Sequence, residues 1–163
     1  MKVTIFLGSD SDFEIIREGL DLLKEFGVPF NLEVTSAHRS PERTFRLIKE
    51  AEAQGTKVFI AVAGKAAHLP GVVASHTILP VIGVPVESQA LAGLDALLSI
   101  VQMPKGIPVA TVALGKAGGA NAALLAISIL AVSDENLAAR LQTYRQKMAE
   151  KVEESSRRLK EKL

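Results

Sequence analysis

At 163 residues, with 48% hydrophobic and 23% charged residues, the chain has the size and composition of one folded domain spanning residues 1–163. A formal net charge of +1 excludes a general attraction to nucleic acid or to acidic membranes, so any partner must be recognised at a local site. The sequence contains no cysteine, which excludes disulfides, thiolate metal sites and a cysteine nucleophile and is typical of a cytoplasmic protein.

Five short apolar runs alternate with segments of helical periodicity. The chain leads directly into the first run without a signal-peptide pattern, and no run reaches the length of a transmembrane helix. The runs are almost continuously apolar, as is typical of strands buried on both faces of a sheet. Their alternation with helices predicts a five-stranded parallel sheet in a three-layer α/β fold with right-handed crossovers. The predicted strands are residues 3–7, 30–35, 57–63, 80–86 and 109–114.

Apolar residues at helical spacing predict the segments that connect these strands. The first helix runs from Phe13 up to Gly27, and the second begins at Pro41 and buries Phe45. An apolar stripe predicts a further helix over residues 91–101.

The last two predicted helices indicate contacts between subunits. Residues 120–131 are apolar all round, so this helix needs burial on most of its sides. Residues 134–163, capped by Ser133, combine an apolar stripe with a charged face. This helix is longer than is needed to cover the sheet of the domain. We expect its end to be frayed beyond Ser155. The long C-terminal helix is therefore expected to pack on neighbouring subunits of a homo-oligomer.

A polar loop follows the second predicted strand. Ser40 and Pro41 form a helix start, in which a hydroxyl caps free amides and proline presets φ. This places residues 36–39 (Ser-Ala-His-Arg) at the carboxyl end of a strand, where ligands bind in open α/β sheets. A hydroxyl, an imidazole and a guanidinium there favour an anionic ligand and a proton transfer. The alternative is a capped turn whose histidine and arginine are only solvated.

Two more loops follow the first and third strands. Residues 9–12 (Ser-Asp-Ser-Asp) can cap the next helix, but a cap does not need four polar residues in a row. Residues 64–71 contain small residues that let a ligand approach the backbone, together with His68, whose alternative role is a helix cap or a packing histidine. The sequence contains no dinucleotide fingerprint, Walker loop, metal-ligand spacing or Ser-His-Asp order.

Parallel strands share one carboxyl end, so the three polar loops are expected to meet at one edge of the sheet. They supply several hydroxyls, a carboxylate suited to a ribose diol, and one or two imidazoles. Arg39 adds a guanidinium group, whose charged N–H donors suit a phosphate. The combination predicts a phosphorylated ribose compound as ligand.

Six segments carry a specific resemblance: residues 8–12 (GSDSD), 36–39 (SAHR), 66–71 (AAHLPG), 83–86 (GVPV), 99–104 (SIVQMP) and 121–125 (NAALL). In this order they are similar to the N5-carboxyaminoimidazole ribonucleotide mutase family, also called the catalytic subunit of phosphoribosylaminoimidazole carboxylase. The resemblance extends from residue 1 to about residue 145. It implies a flavodoxin-like fold, a homo-octamer, no metal or organic cofactor, and a phosphoribosyl imidazole substrate. It also implies functional coupling to the preceding ATP-dependent carboxyaminoimidazole ribonucleotide synthase.

The resemblance implies a role for each matching residue. His38 is the general acid and base, which protonates N5 as carbon dioxide leaves and removes the C4 proton after carbon dioxide is recaptured. An enclosed pocket keeps the carbon dioxide from escaping. The residues implied in nucleotide and phosphate binding are Ser9, Ser11, Asp12, Ser36 and Arg39, and those in the loop over the base and carboxylate are Gly64, Ala66, His68 and Leu69.

One residue departs from the family pattern. Lys65 stands where the family usually has the second glycine of a Gly-Gly pair. If this position needs a positive φ, lysine costs strain of about 1 kcal/mol; otherwise its ammonium lies near the substrate carboxylate. His76 matches no functional position and is interpreted as a surface residue.

Three other functions compete with the mutase. A sister enzyme carboxylates aminoimidazole ribonucleotide directly with carbon dioxide, but residues 66–71 and 102–104 resemble the mutase class. A receiver-type signalling module needs an aspartate at the end of strand three, where the chain has Ala63, Gly64 and Lys65. A plain nucleotide-binding module uses the same residues and differs only in turnover.

Overall fold

The strands form one parallel sheet in the computed structural model, which describes residues 2–163. They are β1 (Val3–Leu7), β2 (Phe30–Val34), β3 (Val58–Gly64), β4 (Val81–Val86) and β5 (Ala110–Thr111). Their order is β2-β1-β3-β4-β5, which is the flavodoxin-like doubly wound order. The predicted fold class is confirmed.

Six helices accompany the sheet along the chain. They are α1 (Phe13–Glu25), α2 (Pro41–Ala53), α3 (Leu69–Ser75), α4 (Leu94–Val101), α5 (Gly115–Ala131) and α6 (Glu135–Lys160). The chain forms two compact units, one ending at Ala126 and one from Ile127 to Leu163. That all 163 residues act as one domain stays a prediction. No helix among residues 2–163 is both long enough and apolar enough to span a bilayer.

The apolar strands explain the position of the core. β1 is buried along its whole length, and β3 is buried from Val58 to Ala63. The rings of Phe6 and Phe59 stack between these neighbouring strands, with centroids 5.7 Å apart. Burial of these side chains supplies the main stabilisation of the fold. The rigid centre of the sheet therefore carries the loops at its carboxyl edge.

Two helix starts differ from the prediction. α4 begins at Leu94 rather than near residue 91, because Ala92 (φ 48°) and Gly93 (φ 87°) adopt left-handed conformations that a right-handed helix excludes. The carboxylate of Asp134, not the hydroxyl of Ser133, caps α6 and accepts a hydrogen bond from Leu137 N at 3.0 Å.

Three other expectations are corrected. The fifth strand pairs over two residues only, because it lies at the edge of the sheet and follows Pro108, which has no amide hydrogen to donate. α6 stays helical beyond Ser155, as far as Lys160, so the expected fraying is not seen. Phe45 is 38% exposed, and its ring stacks on that of His76 with centroids 4.1 Å apart. His76 is exposed, as predicted.

Candidate active site

A cavity of about 910 Å³ opens at the carboxyl ends of the strands. This volume is in the range of sites for small organic ligands. All nine residues predicted to bind substrate line it, although their role in binding stays a prediction. They are Ser9, Ser11, Asp12, Ser36, Arg39, Gly64, Ala66, His68 and Leu69.

The loop after β1 combines a helix cap with exposed polar groups. The Ser9 hydroxyl accepts a hydrogen bond from Ser11 N at 3.4 Å, and Asp12 Oδ2 accepts one from Ser9 N at 3.1 Å. Ser9 and Asp12 form a reciprocal capping box at the short 3₁₀ turn before α1, in which each side chain accepts from the backbone of the other residue. Ser11 is exposed, and its hydroxyl contacts that of Ser9 at 2.9 Å. The cap fixes the loop, and Ser9, Ser11 and Asp12 line the cavity.

Asp12 is the buried carboxyl group of the cavity wall, with 8% exposure. Burial raises its pKa above the ordinary range, and the hydrogen bond from Ser9 N only partly opposes this effect. The folded state therefore binds the Asp12 proton more tightly than the unfolded state does. Ionising Asp12 reduces stability as pH rises above about 4.

We expect Asp12→Asn to raise the Tm at pH 7, because the amide avoids the burial of a charge and keeps an oxygen for Ser9 N. The difference from the parent should vanish below about pH 4, where the unfolded carboxyl is also protonated. Thermal unfolding of both proteins between about pH 3 and pH 7 measures this difference in Tm. Asp10→Asn, at an exposed neighbour, is the matched control and should show no comparable pattern. A stabilisation that persists unchanged at pH 3 would contradict the assignment to Asp12.

The loop after β2 is closed by its own hydrogen bonds. Ser40 Oγ accepts from Ser36 N at 3.1 Å and donates to Ser36 O at 3.2 Å. Ser40 therefore makes no side-chain cap on α2, and the predicted hydroxyl cap is wrong. The buried hydroxyls of Thr35 and Thr44, 2.8 Å apart, hold the end of β2 against α2. These hydrogen bonds fix the conformation of the loop at the edge of the sheet.

Two groups of this loop are available to a ligand. Ser36 Oγ accepts a hydrogen bond from Arg39 N at 3.2 Å, which leaves its own proton free to donate. The exposed guanidinium of Arg39 has no ion-pair partner among residues 2–163. Its charge is therefore available to an anionic group in the cavity.

The loop after β3 turns sharply at Lys65, which has a φ of 55°. Ala67 N donates to Lys65 O at 2.9 Å, and His68 N donates to Ala66 O at 2.8 Å. The position thus needs the left-handed conformation that glycine adopts most easily, and lysine there costs about 1–2 kcal/mol. Lys65 is exposed and also lines the cavity.

His38 itself does not line the cavity; it contacts a residue that does. Its Nε2 lies 2.8 Å from Nδ1 of His68, and the two rings meet edge to face at 83° with centroids 4.9 Å apart. His68 precedes α3 but makes no side-chain cap there. His38 is therefore more than a solvated turn residue, and the helix-cap alternative for His68 is wrong.

Sequence reasoning missed the loop between β4 and α4, which lines the other side of the cavity. Ser88 Oγ donates to Asp95, with distances of 3.1 and 3.2 Å to the two carboxylate oxygens. The rule that predicted the first three loops applies equally to this one, because β4 ends at the same edge. The additional lining residues are Val86 at the end of β4, the loop residues Glu87, Ser88, Gln89 and Ala90, and Asp95 in α4.

The cavity combines charges of both signs with several hydroxyls. Arg39 and Lys65 are cationic, whereas Asp12, Glu87 and Asp95 carry carboxyl groups. Across residues 2–163, no group of three His, Cys, Asp or Glu side chains is arranged to hold a metal ion. The arrangement can bind a polar, anionic small molecule and can move protons through the two imidazoles.

Comparison with known proteins is consistent with this site. Residues 2–151 match the AIR carboxylase family. A curated N5-carboxyaminoimidazole ribonucleotide mutase of Pyrococcus horikoshii is 55% identical over 98% of this chain and 89% of its own length. The Escherichia coli protein of the same name is 50% identical over 94% of this chain and 91% of its own. The crystal structure of Treponema denticola PurE is similar with a TM-score of 0.88 and 33% identity, covering 96% of this chain and 97% of that one. The chain belongs to the AIR carboxylase family.

Proposed function

We propose that this protein converts N5-carboxyaminoimidazole ribonucleotide to 4-carboxy-5-aminoimidazole ribonucleotide, an isomerisation of purine biosynthesis. The observation that carries the proposal is the cavity, which brings together Asp12, Arg39 and His68 in a chain of this family. His38 contacts His68 at 2.8 Å. About half of the residues are shared with curated mutases over nearly the whole chain. Direct carboxylation of aminoimidazole ribonucleotide, the alternative, is not favoured.

The reaction needs a proton to be given and then recovered. Loss of carbon dioxide from N5 leaves a nitrogen that takes up one proton. Attack of C4 on the trapped carbon dioxide then produces a carbon that releases one proton. An imidazole suits both transfers near neutral pH, and the proposal assigns them to His38. No net proton is consumed.

The proposed ligand position is supported by the charges of the cavity. Arg39 and the hydroxyls of Ser11 and Ser36 suit the phosphate, because a guanidinium and O–H groups donate to its oxygens. The Asp12 carboxylate suits the ribose hydroxyls, with Ser9 beside it. The loop of Gly64, Ala66, His68 and Leu69 then covers the base and its carboxylate.

Turnover with two substrates tests the proposal. One assay supplies N5-carboxyaminoimidazole ribonucleotide without added bicarbonate, and the other supplies aminoimidazole ribonucleotide with carbon dioxide. We expect rapid formation of the C4-carboxylated product in the first assay only. Efficient reaction only in the second would assign the direct carboxylase. No reaction in either would leave a nucleotide-binding relative.

The proposal includes assembly of a homo-octamer. α4 exposes an apolar stripe, with Leu94, Leu98 and Val101 between 47% and 52% exposed. Their spacing places them on one side of the helix, and a continuous apolar face of this kind is typical of a surface covered by another subunit. A second copy of the chain is the proposed occupant, and α6 is proposed to pack on neighbouring copies.

We expect truncation after Val132 to lower the number of subunits per particle measured by light scattering, because it removes α6. Met148 and Val152 of this helix are 51% and 70% exposed in the single chain and are proposed to be covered by a neighbouring copy. Truncation after Ser155 removes only exposed residues and is the matched control, for which the mass per subunit should correspond to the same oligomer. An unchanged oligomer after the longer truncation would rule out a role of α6 in assembly.

The remaining parts of the proposal concern the cellular setting. The protein is proposed to act in the cytoplasm, a reducing compartment that suits a sequence without cysteine. It is proposed to need no metal or organic cofactor. Its substrate is the product of an ATP-dependent carboxyaminoimidazole ribonucleotide synthase, so functional coupling to that enzyme is part of the proposal.

A further inference from the structure

The cavity receives a lysine and an arginine from two different loops. Arg39 follows β2, whereas Lys65 follows β3. The ligand of the proposed function also carries two anionic groups, a phosphate on its ribose and a carboxylate on its base. The proposed function assigns the phosphate to Arg39. Among the described residues that line the cavity, Lys65 is then the remaining side chain with a fixed positive charge.

The ammonium group of Lys65 is available to a ligand. Across the part of the chain that the structure describes, it forms neither an ion pair nor a hydrogen bond. Two carboxylates of the cavity have other neighbours. Asp95 accepts a hydrogen bond from Ser88 Oγ at 3.1 Å, and Glu87 Oε1 lies 3.2 Å from the position that a Cβ on Gly115 would take, at the start of α5. A ligand carboxylate therefore meets no competing protein carboxylate at Lys65.

The backbone conformation of Lys65 places this charge at the cavity. Its φ is 55°, and its carbonyl oxygen accepts a hydrogen bond from Ala67 N at 2.9 Å, which closes the turn. Gly64 and Ala66, on either side of Lys65, also line the cavity. Glycine would adopt this left-handed turn without strain, whereas lysine does not. The strain is offset when the side chain makes a contact that glycine cannot make.

We propose that Lys65 is a specificity-determining residue, whose ammonium group binds the carboxylate of the ligand. This inference rests on the proposed function, because that function supplies the ligand and places its carboxylate under the loop of Gly64 and Ala66. A hydrogen bond between an ammonium and a carboxylate is charge-assisted and stronger than one between neutral groups. A ribonucleotide without the carboxylate loses this bond but keeps its phosphate contacts. The site therefore prefers a carboxylated ribonucleotide to aminoimidazole ribonucleotide, the substrate of the direct carboxylase.

Binding of two ligands to Lys65→Asn tests this preference without turnover. The substitution removes the charge, and asparagine tolerates a positive φ. Calorimetric titration gives the Kd of 4-carboxy-5-aminoimidazole ribonucleotide and that of aminoimidazole ribonucleotide. We expect the carboxylated ligand to bind about 10-fold more weakly than to the parent, as is typical for loss of a hydrogen bond between charged groups. The Kd of aminoimidazole ribonucleotide should change less than about twofold, because it has no carboxylate to lose.

The measured quantity is the preference ratio, defined as the Kd of the uncarboxylated ligand divided by that of the carboxylated one. Changes in loop entropy affect both ligands alike and cancel in this ratio. Lys65→Gly removes the charge and the strain together, and it should lower the ratio as much as Lys65→Asn does. Lys105→Asn, at an exposed lysine outside the cavity, changes the net charge equally and is the matched control. It should keep the parent ratio.

The outcomes separate this inference from the proposed function. A ratio that falls in both Lys65 variants and not in Lys105→Asn supports recognition of the carboxylate. An unchanged ratio overturns it, and an equal loss of affinity for both ligands would assign the ammonium to the phosphate instead. Turnover of the parent is read separately. A parent that prefers the carboxylated ligand without converting it overturns the mutase and keeps the recognition, whereas a parent that binds neither ribonucleotide overturns both.

Discussion

His38→Asn is expected to lower kcat by about 100- to 10,000-fold, since general acid–base catalysis by one side chain contributes this much. The amide can neither accept nor give a proton at neutral pH, yet it is similar in size to the imidazole. The hydrogen bonds that close the loop between Ser36 and Ser40 do not involve the His38 side chain. Folding should therefore be kept, while turnover with N5-carboxyaminoimidazole ribonucleotide is lost.

The measurement needs three readings on the same preparation of His38→Asn. Steady-state turnover gives kcat, thermal unfolding shows whether the fold is intact, and calorimetric titration with the C4-carboxylated product gives the affinity. We expect only kcat to change strongly. His76→Asn, at an exposed histidine outside the cavity, serves as the matched histidine replacement. Parental turnover by His38→Asn would reject its assigned role.

The second large effect is expected from Gly119→Ala, within α5. A Cβ at this position would lie 1.9 Å from the carbonyl oxygen of Ile15 in α1, a distance that no real contact adopts. At an open helical site the same change stabilises by about 0.5–1 kcal/mol. Here the backbones of the two helices must separate, and overpacking of this kind destabilises by about 1–3 kcal/mol or more.

The effect of Gly119→Ala should extend to the site. Ile15 lines the cavity, and α1 begins at the capping box of Ser9 and Asp12. Urea unfolding should show a lower free energy of unfolding, and turnover of the folded fraction should fall with it. Asn121→Ala, at an exposed position of the same helix, is the matched control and should leave both quantities close to the parent. Equal stability of Gly119→Ala and the parent would refute the close approach of the helices.

The sequence predicted the central strands well because their burial on both faces leaves a continuous apolar run. The fifth strand was the exception. Residues 109–114 have the same apolar composition, but only Ala110 and Thr111 pair, at an edge with a single neighbour. The composition of a run does not reveal how far its ladder extends. Likewise, no residue type signals that Ala92 adopts a positive φ, so the start of α4 was misplaced.

The sequence predicted which loops form the site, but not the contacts between their side chains. Three polar loops were expected at one edge, and the structure brings their residues to one cavity. The contact between His38 and His68, which are 30 residues apart, depends on the conformations of two loops and has no sequence signal. The cap expected from Ser40 failed because its hydroxyl has a competing partner in the Ser36 backbone. When a side chain has several possible hydrogen-bond partners, the conformation of the folded loop determines which partner it takes.

The left-handed backbone conformation of Lys65, after β3, affects the entropy of ligand binding. A glycine at position 65 would sample many more backbone conformations than Lys65, which is held at a φ of 55°. The conformational entropy that this loop loses when a ligand binds is therefore smaller than it would be with glycine at position 65. Relative to a Lys65→Gly form, binding should show a smaller unfavourable entropy, as in other preorganised sites. The chain thus combines a strained residue at position 65 with a loop that has less conformational freedom to lose when a ligand binds.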